Sequence, residues 1–143
     1  LAVNWYDESG NVIDPTKIEQ GKSFYGHFNV SMNNRSNIEE IVLDQIIPTG
    51  WEIENLRLND ESLPSWMSSY NLDKEEYLDI RDGRIMWFFD FKRYEKASYD
   101  FVVKLNAITV GEFFLAPTKV EAMYNKKYQA VVSGKVVSVA PRK

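Results

Sequence analysis

Apolar residues recur at every second position through most of this chain, a period that strands satisfy and helices do not. Over residues 23–33, Phe24, Gly26, Phe28, Val30 and Met32 share one face, and Tyr25, His27, Asn29 and Ser31 share the other. That is the pattern of a half-buried strand. Residues 99–109 repeat it, with Tyr99, Phe101, Val103, Leu105 and Ala107 on one side and Asp100, Lys104 and Asn106 opposite, at a length that suits a central strand. Residues 77–81 and 84–89 flank Asp82-Gly83, which predicts a hairpin with a two-residue turn whose central positions both take positive φ. Further strands are expected over residues 1–6, 39–47, 51–58, 112–115, 119–124 and 134–139.

Gly10, Pro15, Gly21, Pro48, Gly50, Gly111 and Pro117 cut the chain into short pieces, and no segment carries a long 3.6-residue apolar period. The reading is all-β: an antiparallel β-sandwich of immunoglobulin-like size, about 8–9 strands, with residues 1–143 as a single domain. Residues 59–76 are the exception, because they are too long for an ordinary connection and contain Pro64, Trp66, Met67 and Tyr70. Such a segment is either functional or draped on the core, with a short helical turn expected near residues 72–76.

Composition removes most alternatives. With 143 residues, 44% of them hydrophobic and 27% charged, the chain can bury about two-thirds of its extended surface and needs no covalent staple. It has no apolar run long enough to span a bilayer. A net charge of -4 gives no basic field to collect phosphates, so nucleic acid is not an expected partner. No cysteine is present, which removes disulfides, thiolate zinc sites and a thiol nucleophile, and one histidine, His27, cannot build a histidine-rich metal site. No cofactor or metal is expected. The chain opens at Leu1 without an initiator Met, a basic start or an apolar signal core, and so reads as a piece of a longer protein.

No arrangement of catalytic residues stands out. Asp79, Asp82 and Asp90 surround one hairpin and Glu52 and Glu54 share one strand, the ordinary placement of solvated acids rather than a paired-carboxylate site. Asp79 to Gly83 lacks the dense oxygen donors of a calcium loop and contains Arg81. The serines, among them Ser62, Ser65, Ser68, Ser69 and Ser133, have no nucleophile-elbow spacing, and His27, in mid-strand on the outward face, is expected at the surface or rim. The chain is not expected to be an enzyme. Two features invite a binding role. Trp51, Trp66, Tyr70 and Tyr77 lie in or near the loop-rich region, where exposed rings would stack on sugars and buried ones would plug the sandwich; Trp66, Tyr70 and Tyr77 form the candidate aromatic surface. Met123, at a strand end, is either a stray surface methionine or a soft anchor for a partner.

Several segments, taken in order, resemble one family. Val3-Asn4-Trp5-Tyr6-Asp7 followed by Gly10-Asn11-Val12-Ile13-Asp14-Pro15, then Gln20-Gly21, Pro48-Thr49-Gly50-Trp51-Glu52-Ile53-Glu54-Asn55 and Asp79-Ile80-Arg81-Asp82-Gly83-Arg84 are similar to pieces of the C-terminal, tenth macroglobulin-like domain of bacterial alpha-2-macroglobulins. Gly111-Glu112-Phe113 leading to Pro117 and Val120-Glu121-Ala122-Met123-Tyr124 is the most specific piece, with Ala116 standing where the family often has proline. The resemblance implies a non-catalytic domain of an extracytoplasmic protease trap, in the periplasm or envelope of a Gram-negative bacterium, with any lipid anchor elsewhere in the parent. It implies packing against the thioester domain and neighbouring macroglobulin-like domains, proteases met through the parent, and a shield over the reactive bond formed by Met123 and Tyr124. Strand alternation sends those two side chains to opposite faces unless they lie at a strand end or bulge. An adhesin-type sandwich module binding glycan or protein is the alternative, carried by Trp66, Tyr70 and Tyr77 and by the segment from Leu43 to Gly50.

Overall fold

The computed structural model describes residues 1–32, 37–54, 64–70, 77–92 and 98–142, and for Tyr77 the backbone alone. Twelve strands are present among them: β1 (Ala2–Asp7), β2 (Ile18–Glu19), β3 (Ser23–Ser31), β4 (Ile38–Ile46), β5 (Trp51–Glu54), β6 (Tyr77–Arg81), β7 (Arg84–Phe91), β8 (Ser98–Ala107), β9 (Gly111–Leu115), β10 (Thr118–Ala122), β11 (Gln129–Val132) and β12 (Lys135–Ala140). Among the described residues a single 3₁₀ turn, Ser65–Met67, interrupts the β pattern. The expected helical turn at residues 72–76 and the second half of the strand expected over 51–58 lie outside the described residues.

The strands form a four-stranded sheet in the order β1-β3-β8-β5, a five-stranded sheet in the order β11-β10-β4-β7-β6, and a three-stranded sheet in the order β2-β12-β9. All pairings are antiparallel except the short parallel pairing of β2 with β12. The long alternating segments behave as their pattern predicts. β8 is central, between β3 and β5, and Tyr99, Phe101, Val103, Leu105 and Ala107 are all buried along one face of it. That face meets β7 of the second sheet, where Ile85, Trp87, Phe89 and Phe91 point inward. Ring centroids of Phe89 and Phe101 lie 4.8 Å apart and those of Phe28 and Trp87 5.2 Å apart, the aromatic contacts that bind two sheets face to face. Gly26 takes its place in the inner face of β3 because the indole of Trp5, its partner on β1, occupies the space a side chain would need.

Gln45, at 0% exposure, is a buried polar side chain of this interior, beside Thr118. Its amide donates to the carbonyls of Ala116 (3.0 Å) and Ile46 (2.8 Å), and its oxygen accepts from the Thr118 hydroxyl. The group is thereby satisfied, and it ties β4 to the turn between β9 and β10.

Three local expectations are corrected. The hairpin turn at Asp82-Gly83 joins Arg81 to Arg84 as predicted, but positive φ occurs at Gly83 (φ 68°) and not at Asp82. Twelve strands occur among the described residues against about eight or nine expected, and the two that no expected segment covered are the short β2 and β11. His27, expected at the surface or rim, is buried at 7% exposure, because residues 64–70 lie across the outer face of β3.

Candidate functional site

The site of interest is where β10 ends. Thr118, Val120 and Ala122 are buried while Lys119 and Glu121 are exposed, so the strand keeps strict alternation up to Ala122. There the chain turns. Asn125 donates its N–H to the Ala122 carbonyl (3.3 Å), Tyr128 donates to the Asn125 carbonyl (3.1 Å), and Ala122 donates to the Tyr128 carbonyl (2.9 Å). The Asn125 side chain accepts from the Lys127 N–H at 3.3 Å. Met123 and Tyr124 therefore stand just past the strand end, freed from its alternation, with 49% and 82% of their surface exposed. On the β4 side, the Met123 N–H donates to the Glu40 carbonyl at 2.9 Å. A shallow concavity beside them is lined by Ile38, Glu39, Glu40, Tyr124 and Asn125.

The candidate aromatics are placed differently from one another. Trp51 belongs to the core, with ring centroids 4.9 Å from Phe24 and 5.5 Å from Trp5. Trp66 and Tyr70 lie together on the outer face of the four-stranded sheet, but their rings are perpendicular (89°). Trp66 packs on Tyr6 and Tyr25 and donates its indole N–H to the Glu8 carbonyl at 3.1 Å. Tyr70 stacks flat on His27, centroids 4.1 Å apart at 5°. Tyr77 begins β6, the edge strand of the other sheet, so the backbone does not join it to that pair.

Beneath Tyr70, His27 Nε2 lies 2.7 Å from Asp100 Oδ1, which also accepts from the Asn29 amide at 2.8 Å. The partly covered position of Tyr70, reinforced by its hydrogen bond with Tyr6, pushes its phenol up to about 12. Burial likewise raises the Tyr25 phenol. The carboxylates weighed as catalytic candidates are largely engaged. Asp79 pairs with Arg81 (2.9 Å), Glu54 pairs with Lys104 (2.8 Å) and raises its pKa, and Asp90 accepts a backbone N–H. No group of three potential metal ligands occurs among the described residues.

Fold and surface together define an immunoglobulin-like β-sandwich, with a sequestered aromatic core and a Met-Tyr turn projecting from one strand end. Residues 1–126 match the family described as the bacterial alpha-2-macroglobulin MG10 domain, and the chain belongs to that family. Among curated proteins it is similar to an alpha-2-macroglobulin homolog of Yersinia pestis (24% identity, covering 94% of this chain and 7% of the relative) and to the alpha-2-macroglobulin of Xylella fastidiosa (24%, covering 84% and 8%). Among solved structures it is similar to native alpha-2-macroglobulin of Escherichia coli from domain MG7 to the C-terminus (TM-score 0.84, 16% identity, covering 98% of this chain and 23% of that one). It is also similar to Salmonella alpha-2-macroglobulin reacted with methylamine (TM-score 0.79, 21% identity, covering 98% and 9%). The chain thus spans less than a tenth of the length of these curated relatives.

Proposed function

We propose that this chain is a non-catalytic domain of a larger bacterial alpha-2-macroglobulin-like endopeptidase inhibitor, working outside the cytoplasm in the periplasm or cell envelope. Its task is to pack against neighbouring domains of the same parent, and its Met123–Tyr124 turn covers the reactive bond of the thioester domain. The observation that carries the reading is the pairing of exposures at that turn: a tyrosine at 82% and a methionine at 49%, side by side on a backbone fixed by hydrogen bonds. A flexible thioether next to an aromatic ring makes an adaptable, water-excluding lid, and a thioester persists only where water is kept from it.

The test uses the full-length parent, in which a Cys-x-Glu-Gln thioester motif is first sought. Met123→Ala combined with Tyr124→Ala removes a largely exposed tyrosine and a half-exposed methionine, neither of them a core residue, so folding is expected to survive at a cost of about 1 kcal/mol. Spontaneous thioester loss and reaction with methylamine are expected to accelerate. Unchanged reactivity with a stable fold would overturn the shielding role.

A further inference from the structure

The Met123–Tyr124 turn is held by more than its own hairpin. Glu40, whose carbonyl accepts the Met123 N–H, sits at the irregular step of β4: Ile38 opposes Phe91 and Ile41 opposes Phe89, so three steps along β4 match two along β7. One residue is extra, which is a β-bulge. Glu40 takes φ 54°, the only positive φ of a non-glycine residue among the described residues. L side chains disfavour that conformation, so something must hold it in place. Asp90 does so, its Oδ1 accepting the Glu40 N–H at 2.8 Å. Asp90 itself is well anchored, since its neighbours on β7, Phe89 and Phe91, are core residues at 1% and 3% exposure.

The bulge has a consequence for the turn. Ladder pairing of β10 with β4 ends at Ala122 opposite Ile41, and the single bond from Met123 to Glu40 is the last link before Tyr124 leaves the sheet. From these contacts we infer that Asp90 and the Glu40 bulge are the positioning residues of the Met123–Tyr124 surface: the Asp90 carboxylate fixes Glu40, and Glu40 fixes the Met123 amide. Bulges beside functional surfaces commonly re-aim a side chain or terminate pairing, and here one bulge does both. The functional half of this inference rests on the shielding role proposed above.

Hydrogen exchange in the full-length protein tests the geometry apart from the function. Asp90→Ala removes the acceptor and is expected to speed exchange of the Met123 amide by about tenfold, the effect of losing one hydrogen bond to a charged group. Asp90→Asn keeps an acceptor oxygen and is expected to restore slow exchange; Glu40→Gly relieves the disfavoured φ and is expected to leave exchange slow. Methylamine reactivity is expected to rise in Asp90→Ala and stay low in the other two. Unaltered exchange in Asp90→Ala overturns the positioning role whatever the reactivity does, and so does an Asp90→Asn variant as fast as Asp90→Ala. If exchange quickens but reactivity stays low, the Met123→Ala, Tyr124→Ala variant decides. Reactivity low there too leaves the positioning intact and removes the shielding role; reactivity high there shows that the turn shields without the bulge, which overturns the inference.

Discussion

Tyr70 closes over His27 as a flat lid, and its phenol is pushed up to about 12. Partial burial is the main cause and the hydrogen bond with Tyr6 the next, both of which favour the neutral phenol in the folded state. The sign follows directly. An unfolded tyrosine ionises near about 10, so the fold keeps the full benefit of a neutral Tyr70 below that pH and loses it progressively as pH climbs toward 12. Phenolate absorbance during an alkaline titration is therefore expected to show late-ionising tyrosines, Tyr25 among them, and Tyr70→Phe is expected to delete one late step. If Tyr70→Phe instead removes an ordinary step near about 10 and leaves every late one in place, the Tyr70 phenol is not covered as described.

At the scale of elements, the segment from Pro64 to Tyr70 is a strap. Its 3₁₀ turn drops Met67, 2% exposed, between Tyr25 and Val102, while Trp66 and Tyr70 pack around them. Truncating a buried methionine under a loop costs about 2 kcal/mol, the low end for such changes, because a strap can settle into the gap. Met67→Ala is expected to lower unfolding stability by that amount, shift Trp66 emission to the red and open residues 64–70 to protease. A variant with wild-type stability and protease resistance would mean the strap is not packed as described. This element also marks the limit of reading the sequence. Alternation placed Tyr25 and His27 on one face of β3, and they are there, but a period of two says which residues share a face and not whether a distant segment covers it. The long strands β3 and β8 and the β6–β7 hairpin were legible because their inner faces are nearly pure aromatic and aliphatic. By contrast, β2 offers only two residues, and a left-handed glutamate at Glu40 has no local signature at all. Met123 and Tyr124 were recognisable as a motif, while their joint exposure depends on a turn closed by Asn125 and Tyr128, bonds that no spacing rule reveals.

For the molecule as a whole, the family match ends at residue 126, yet the core does not. β12 supplies Val137 and Val139, 0% and 2% exposed, and joins β9 to β2 across the three-stranded sheet. Further bonds reach back to the first part of the chain: Ser138 donates to the Thr16 carbonyl from both its N–H (3.0 Å) and its hydroxyl (2.7 Å), and Gln20 donates to the Ala140 carbonyl at 2.8 Å. Two fully buried valines contribute about 3–6 kcal/mol together, and deleting β12 would also strip β9 and β2 of their partner. Set against a typical stability of about 5–15 kcal/mol, that loss is enough to abolish a cooperative fold. A chain cut to residues 1–126 is therefore expected to unfold without a sharp denaturant transition and to bind a hydrophobic dye, while one ending at Ala140 keeps the wild-type midpoint. Cooperative unfolding of 1–126 at an undiminished midpoint would show instead that the β1-to-β10 part is self-sufficient and that β11 and β12 only decorate it.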